Sequence, residues 1–438
     1  MTMTAAEKLL EGAKPVSPVM ADPELSPNDL VARAAALRER FREQQADTEA
    51  RTFYSQDLHQ AIEDAGLYRV YVPRKYGGYE FELPTFVRVV IEVARGCMSS
   101  GWCYALAAAH ALQVAAWWPE QAQDEIFNKG LPNLGDFRAA GVAAPVGPLT
   151  KTSDGWSLTG RVSFASGIPI STHYMGQALI IDDPKGPPRQ AAFAAPRDTF
   201  DIVDDWGFTI GLKGSGSHTI KFDAATLPEH YVLENFDLLN PDVGNGTEGL
   251  RLHKQPIYAG RSMGAFVMTL AAVEVGGAYL ALDEYERIIR EKKTAMPPFR
   301  PRVLDPDFQR WYGEALTRIA NAEAALLRCA ERHMEICQRA ADGGQPFTRD
   351  EDLLLCNQGR EVRLDVWRVL TDIMVPTVGA NALSNGEPME RVFRDLTTAT
   401  AHRDSMLTDW FYGETARSAL GLASGDEAIM PSRGPNAR

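Results

Sequence analysis

The chain has 438 residues, of which 45% are hydrophobic and 24% are charged, a composition typical of a soluble globular protein with several packed subdomains. This composition excludes a disordered or collagen-like chain. The net charge of −13 disfavours nucleic acid and anionic membrane surfaces as partners, because both are negatively charged themselves. We therefore expect no nucleic acid and no membrane among the partners.

The cysteine content and the first residues both predict a cytoplasmic protein. Five scattered cysteines are too few for a disulfide framework, and their odd number is typical of a reducing cytosol. The first thirty residues mix charges with several prolines and lack the apolar core of a secretory leader. The cysteines are Cys97, Cys103, Cys329, Cys337 and Cys356.

Residues 28–130 are predicted to form an N-terminal helical domain that follows a flexible N-terminus at residues 1–27. Ser26 precedes a proline, which predicts a helix N-cap with proline at the first helical position. Ser55 is predicted to open a second helix that ends at Gly66.

The second half of this domain is predicted to contain an extended segment and two further helices. The residues from 67 to 80 read as extended and closed by a Gly77-Gly78 turn. Helices are predicted near 84–95 and 98–117. The later helix is apolar nearly all round, so we expect it to be buried.

Residues 131–238 change to short alternating runs separated by turn residues, which predicts a β domain. Asp154-Gly155 lies between two strand-like runs and predicts a two-residue hairpin, because both residues tolerate positive φ. Further strands are predicted near 176–182, 189–195 and 217–223.

Residues 239–424 return to long helices and predict a C-terminal bundle, with a loose tail at 425–438. Asp305-Pro306 predicts one helix start, and Thr348 with Glu351 forms a capping box for the next helix. A last helical region is predicted over 389–420.

The segment Met263–Leu282 is long and apolar enough to suggest a membrane span, with Glu274 as its single acid. It runs directly into a charged helix, and its glycines and alanines suit close helix packing. We interpret it as a buried helix of the bundle.

The common catalytic signatures are absent from the sequence. There is no Walker loop, G-x-S-x-G elbow or H-E-x-x-H motif, and GSGSHT at 214–219 lacks the third glycine and the helix of a dinucleotide loop. Cys329, His333 and Cys337 recur every four residues on one helix, but they cannot converge on one ion without ligands from another segment. We interpret them as a core stripe and predict no metal site.

Several short motifs together resemble one family. They are AGLYRVYVPRKYGG, the W-S-L-T-G-R-V-S-F-A-S-G strand pair, the W-x-x-x-x-G-x-x-G-S-G-S turn and the late Arg394-Asp395. With the order of helical, β and helical segments, they resemble the acyl-CoA dehydrogenase fold over roughly residues 28–422. The details are more similar to the oxygenase components of two-component (group D) flavin-dependent monooxygenases, such as the p-hydroxyphenylacetate and secosteroid-phenol hydroxylases.

The resemblance implies an α+β, mainly α fold with an N-terminal helical domain, a middle β-barrel and a C-terminal four-helix bundle, assembled as a homotetramer. Straight-chain acyl-CoA dehydrogenases place a glutamate base shortly after the Arg-Asp pair. Here no glutamate occurs between Glu390 and Glu414, and the site offers His402 instead. Some dehydrogenases carry their base on another helix, so a true acyl-CoA dehydrogenase with FAD remains an alternative.

The resemblance implies two catalytic residues. In such enzymes reduced flavin and O2 form a C4a-hydroperoxyflavin, which survives only where water is excluded and the flavin N5 keeps its hydrogen. Ser166 resembles the family's serine near N5, and a hydroxyl can accept from that N–H while donating elsewhere. His402 would bind the peroxide or the substrate hydroxyl, because imidazole can donate a proton in one step and accept one in another.

The resemblance also implies contacts to the substrate and the flavin. His110 and Trp102 lie about two turns apart on one predicted helix and would line the substrate cavity, with the tryptophan also near the flavin. Trp206 would flank the flavin ring. Ser217 and Arg290 would contact the flavin phosphate, to which hydroxyls and guanidinium groups are suited.

These inferences predict an oxygenase component that hydroxylates a small electron-rich aromatic compound, such as a phenol or an indole. The chain has no nicotinamide motif, so FMNH2 or FADH2 would arrive from a separate NAD(P)H:flavin reductase. N- or S-oxygenation on the same scaffold and a non-catalytic ligand-binding protein are the alternatives beside the dehydrogenase.

Overall fold

A computed structural model describes residues 22, 24–128, 137–182 and 186–422. Helices at both ends enclose a sheet, so the predicted α+β, mainly α architecture is confirmed. The predicted C-terminal tail and most of the predicted flexible N-terminus lie outside the described residues.

The N-terminal helices begin where the sequence predicts. Ser26 caps the first helix through a capping box with Asp29, and the side chain of Ser55 accepts a hydrogen bond from the amide of Leu58. The helices are α1 (Pro27–Ala36), α2 (Arg38–Glu43), α3 (Gln45–Arg51), α4 (Gln56–Asp64), α5 (Leu83–Gly96), α6 (Met98–Trp117) and α7 (Glu120–Asn128).

The segment between α4 and α5 differs from the predicted extended run. It contains 3₁₀ turns at Leu67–Arg69 and Arg74–Tyr76, although the amide of Phe81 still bonds back to the carbonyl of Val70. The apolar side chains of this segment are buried against helices, and these tertiary contacts outweigh the local preference for extended backbone.

The middle of the chain forms one seven-stranded mixed sheet in the order β5-β6-β2-β1-β3-β4-β7, with β5 and β7 as edge strands. β1 pairs antiparallel with β2 and parallel with β3. In the predicted hairpin the connecting residues are Ser153 and Asp154, and Gly155 at φ +129° opens the second strand. The strands are β1 (Ala139–Thr152), β2 (Gly155–Val162), β3 (His173–Ile180), β4 (Arg189–Pro196), β5 (Asp201–Val203), β6 (Thr219–Leu227) and β7 (Val232–Glu234).

The C-terminal helices form a bundle around one long apolar helix, α9. Of its 18 most apolar consecutive residues, 89% are buried, so the one described helix that is both long and apolar enough to span a membrane is a core helix. The helices are α8 (Glu248–His253), α9 (Met263–Glu291), α10 (Pro306–Ala341), α11 (Arg349–Val369), α12 (Val375–Val378), α13 (Pro388–Thr400) and α14 (Thr408–Ala419).

The last helical region is not continuous. It is divided into α13 and α14 by residues 401–407, which contain a 3₁₀ turn at Arg403–Leu407. α13 packs on α9, and α14 packs on α11. The break therefore lies between two helices of the bundle. Helix α6 also packs on α9, so the short loop at the break lies near α6.

Candidate functional site

A cluster of hydroxyl groups joins the sheet domain to helix α6. Ser166 Oγ lies 2.8 Å from Ser217 Oγ, and Ser217 Oγ lies 2.7 Å from Ser215 Oγ. The indole N–H of Trp102 donates to Ser166 Oγ over 3.2 Å. All four side chains are buried, so this cluster forms a small polar site in an otherwise apolar interior.

Two turns hold these serines together. The amide of Gly167 donates to the carbonyl of Ser215, and the amide of Ala165 donates to the carbonyl of His218. Gly167 has φ +78°, and a Cβ there would lie 2.8 Å from the carbonyl oxygen of Cys103 on α6. Glycine is therefore required for the turn to lie flat against the helix.

Trp206 lies at the outer side of the same turns. Its indole N–H donates to the carbonyl of Leu212 over 3.2 Å, and its ring meets the edge of the Phe164 ring at 5.6 Å between centroids. Phe164 is 62% exposed and has φ +66°, a left-handed conformation that bulky residues rarely adopt. The structure thus places two aromatic rings on the turns that flank the hydroxyl cluster.

Asp395 anchors the turn that carries these groups. Its Oδ1 accepts from the amide of Leu212 over 2.6 Å, and its Oδ2 accepts from Ser99 Oγ over 3.2 Å. Burial raises the pKa of Asp395 to about 6, although the hydrogen bond from Leu212 opposes the shift. The carboxyl therefore connects α13, the Leu212 turn and the start of α6.

His402 lies in the break between α13 and α14, next to Trp102. The centroids of the two rings are 5.5 Å apart, with the rings edge to face. His402 Nδ1 lies 2.7 Å from Asp404 Oδ1. Nδ1 also lies 3.5 Å from the amide of Asp404, a longer contact. Because an ionised carboxylate only accepts, the shorter contact places the proton of the neutral imidazole on Nδ1, and its Nε2 then has the lone pair.

Two arginines and a second acid lie behind Asp404. Arg363 forms ion pairs with Asp404 and with Glu274, and Arg360 approaches Asp404 at 3.4 Å. Burial raises the pKa of Asp404, but the hydrogen bond from His402 and the two arginines outweigh this and lower it below its usual range. Asp404 is therefore ionised at neutral pH.

His110 lies two turns along α6 and does not contact the cluster around Trp102 in the described structure. Its Nδ1 lies 2.7 Å from the carbonyl of Leu106, and its ring lies 5.0 Å from that of Phe266. A Cβ on Gly141 would lie 2.3 Å from His110 Nε2, so the sheet approaches this ring closely. Burial lowers the pKa of His110 to about 4, which keeps the ring neutral.

Arg290 lies apart from the other candidates. It is on the last turns of α9, with an exposed side chain that pairs with Glu286 one turn before it. Among the described residues, no hydrogen bond, ion pair or ring contact connects it to Trp102, Ser166 or His402.

Sequence reasoning missed most of the network behind His402. Asp395 stands out in the sequence only as part of the Arg394-Asp395 motif, and no pattern marks Asp404. Glu274 carried the clearest pattern, because a single acid inside a long apolar helix requires a buried partner. Arg363 had no such pattern, since α11 is rich in charged residues.

The predicted stripe of Cys329, His333 and Cys337 is buried in α10. Among the described residues, no group of three potential ligands is arranged to hold a metal ion.

The side chains at the hydroxyl cluster fit a flavin ring. A serine hydroxyl has one proton and two lone pairs, so Ser166 keeps one hydrogen-bonding position beyond Trp102 and Ser217. Trp102, Trp206 and Phe164 supply flat apolar faces beside it. These groups match the N–H and carbonyl edge and the flat faces of an isoalloxazine.

Comparison with known proteins gives matches over both helical parts of the chain. The family model described as acyl-CoA dehydrogenase, N-terminal domain, matches residues 29–131, and the model described as acyl-CoA dehydrogenase, C-terminal domain, matches residues 268–405. The FADH(2)-dependent resorcinol hydroxylase, oxygenase component, of Rhizobium sp. is 28% identical over 90% of this chain and 94% of its own length.

Solved structures show the same fold. The HsaA monooxygenase from M. tuberculosis matches with a TM-score of 0.80 at 22% identity, over 92% of this chain and 99% of that chain. XiaF from Streptomyces sp., solved in complex with FADH2 and glycerol, matches with a TM-score of 0.80 at 22% identity, over 92% of this chain and 98% of that chain.

Proposed function

The chain belongs to the acyl-CoA dehydrogenase family, and on that premise we propose that it is the oxygenase component of a two-component flavin-dependent monooxygenase. It hydroxylates a small electron-rich aromatic compound of the phenol or indole type. FMNH2 or FADH2 reaches it from a separate NAD(P)H:flavin reductase. One oxygen atom of O2 enters the substrate and the other leaves as water, with two electrons supplied by the reduced flavin.

The observation that carries this proposal is the contact of His402 with Trp102, whose indole also binds Ser166. A histidine here can move a proton on a substrate hydroxyl. A strict dehydrogenase is not favoured, because residues 391–413 contain no glutamate to remove a proton from a thioester. N- or S-oxygenation uses the same oxygen donor and differs only in the substrate.

The residues of the site have separate tasks in this proposal. A bound reduced flavin supplies the electrons and activates O2. Ser166 would hold the flavin edge, Trp102 and Trp206 would exclude water from the ring, and His402 Nε2 would accept the proton of the substrate hydroxyl. His110 lines the substrate cavity beyond Trp102.

The flavin phosphate contacts remain part of the proposal. Ser217 and Arg290 would bind the phosphate, for which a hydroxyl and a guanidinium are suited. Arg290→Ala should weaken flavin binding about tenfold or more, and Arg287→Ala, on the same helix, is the matched control. Equal flavin affinities for the two variants would remove Arg290 from the binding site.

We extend the proposal to organisation and location. The domains would span 28–130, 131–238 and 239–424, and the protein would be a cytoplasmic homotetramer. The resemblance to the family supports the tetramer, and the five buried free thiols are consistent with a reducing compartment. Light scattering on the purified protein tests the subunit number.

The direct test combines the purified chain with a generic flavin reductase, NADH and a panel of phenols and indoles. Resorcinol belongs in this panel because the Rhizobium relative is a resorcinol hydroxylase. Mass spectrometry should find one added oxygen that derives from ¹⁸O2. The proposal is wrong if no compound is oxygenated and O2 uptake equals that of the reductase with flavin alone.

His402→Ala separates oxygen activation from hydroxylation. The variant should still consume reduced flavin and O2, but it should release hydrogen peroxide in place of hydroxylated product. The rate of product formation should fall by a factor of about 10² or more. Unchanged coupling of flavin oxidation to product would remove His402 from the mechanism.

A further inference from the structure

We propose that Arg363, held in place by Glu274, is a positioning residue that sets the tautomer and orientation of His402 through Asp404. The inference rests on the proposed function and adds two residues from other helices of the bundle to its site. Glu274 comes from α9, Arg363 from α11 and Asp404 from the break between α13 and α14. Three separate segments thus meet behind the histidine.

Arg363 is bound on every side of its guanidinium. Its Nε donates to Glu274 Oε1 over 2.6 Å, its Nη2 donates to the carbonyl of Ala399 over 2.9 Å, and its Nη1 donates to Asp404 Oδ2. The planar group cannot rotate without losing one of these bonds. Because Ala399 lies in the last turn of α13, Arg363 also fixes the point where the chain leaves the helix toward His402.

The charges of this buried group balance. Arg363 and Arg360 contribute two positive charges, and Asp404 and Glu274 contribute two negative charges when both are ionised. Burial raises the pKa of Glu274, and its ion pair with Arg363 opposes that shift. Glu274 is fully buried, and Arg363 is nearly so. Removal of one member would leave an uncompensated charge in the interior. A buried ion pair contributes little more to stability than apolar side chains of the same volume would, so fold stability alone does not explain it.

The network decides which nitrogen of His402 faces the site. Asp404 Oδ2 is bound to Arg363, so Oδ1 stays directed at His402 Nδ1 at 2.7 Å. Nδ1 therefore carries the proton, and Nε2 can accept the proton of a substrate hydroxyl. When it does, the imidazolium charge lies against Asp404, and the proton returns from Nε2 later in the cycle. The network itself gains and loses no proton.

The first test measures the tautomer of His402 without any activity. ¹⁵N NMR of histidine-labelled resting protein, with His402 assigned by its loss in His402→Asn, should show a protonated Nδ1 and an unprotonated Nε2. In the double variant Glu274→Gln with Arg363→Met, which leaves neither charge of that pair, both tautomers should appear. Asp404→Asn should invert the tautomer, because its amide can donate to Nδ1.

The second test measures the yield of hydroxylated product per flavin oxidised. The double variant should lose about tenfold or more, and Asp404→Asn more still, while total flavin oxidation stays within about twofold. Asp283→Asn is the matched control, because Asp283 lies on the same helix α9 as Glu274 but pairs with Arg95 of α5 and Arg42 of α2 instead of with Arg363. In this control variant, the tautomer of His402 and the yield of product per flavin oxidised should match those of the wild type.

The outcomes separate the two proposals. If the wild type forms no oxygenated product, the proposed function fails, whatever the NMR result. The role of Arg363 and Glu274 is refuted if the wild type couples flavin oxidation to product formation and the folded double variant keeps both the wild-type tautomer of His402 and the wild-type yield. Should the double variant not fold, Arg363→Lys keeps the charge without the planar fork and must show the same mixed tautomers.

Discussion

Asp395→Asn tests the buried carboxyl that anchors the Leu212 turn. The substituted amide keeps one oxygen as acceptor for the Leu212 amide, and Ser99 can rotate its hydroxyl to accept from the new N–H. The geometry is therefore retained while the titration is removed. We expect the variant to change how stability depends on pH rather than the architecture of the site.

The magnitude follows from the pKa of Asp395, which burial raises from 3.8 to about 6. A carboxyl whose pKa rises on folding binds more protons in the folded state, so the free energy of unfolding falls as pH rises between the two values. The full loss is about 3 kcal/mol, of which about 2 kcal/mol falls between pH 4.5 and 7.5. The variant lacks this loss, so relative to the wild type it should gain about 2 kcal/mol over that interval.

Urea unfolding followed by tryptophan fluorescence at the two pH values measures this difference. Asp352, whose buried carboxyl also has a pKa of about 6, is present in both proteins and cancels in the comparison. A difference between variant and wild type that does not change with pH would refute the reasoning. It would mean that the carboxyl of Asp395 has the same pKa in the folded and unfolded chain.

Three further predictions concern the site and the bundle. Trp102→Phe removes the N–H that donates to Ser166 and should lower the product yield severalfold, measured as product per flavin oxidised. Gly276→Val should destabilise the protein by about 3 kcal/mol or more in urea unfolding, because a Cβ there would lie 2.5 Å from a backbone oxygen of α5. In contrast, Gly313→Ala on α10 places its Cβ in open space and should stabilise the protein by up to about 1 kcal/mol. Burial lowers the pKa of His333 from 6.5 to about 4, so the unfolded chain binds a proton that the folded chain does not bind between these values. The free energy of unfolding therefore falls as pH falls below 6.5. His333→Leu should therefore recover about 2 kcal/mol at pH 5 relative to pH 7.5, and an unchanged acid slope in urea unfolding would contradict this.

The helix starts were predictable because caps are local. Ser26, Ser55, Asp305 and Thr348 each accept a hydrogen bond from an amide two or three residues later, as their sequences predict. The burial of α6 followed from its apolar composition on all faces. The family resemblance supplied Trp102, Ser166 and His402, and the structure brings these three together.

The break at residues 401–407 was not predictable from periodicity. The residues around it continue a helical pattern, whereas Arg363 binds the end of α13 and Asp404, and Arg360 binds the carbonyl of Asp404, which holds the chain in another conformation. The extended run predicted at 67–80 was replaced by 3₁₀ turns for a similar reason, since helices pack over its apolar side chains.

By itself, the sequence determined the order of helices and strands, the positions of most helix starts and the burial of the long apolar helix α9. These depend on neighbouring residues and on the spacing of apolar side chains. Only the tertiary structure decided that Glu274, Arg363 and Asp404 meet behind His402. Those residues lie on segments far apart in the chain, and their pairing depends on how the helices pack and exclude water, which no local pattern records.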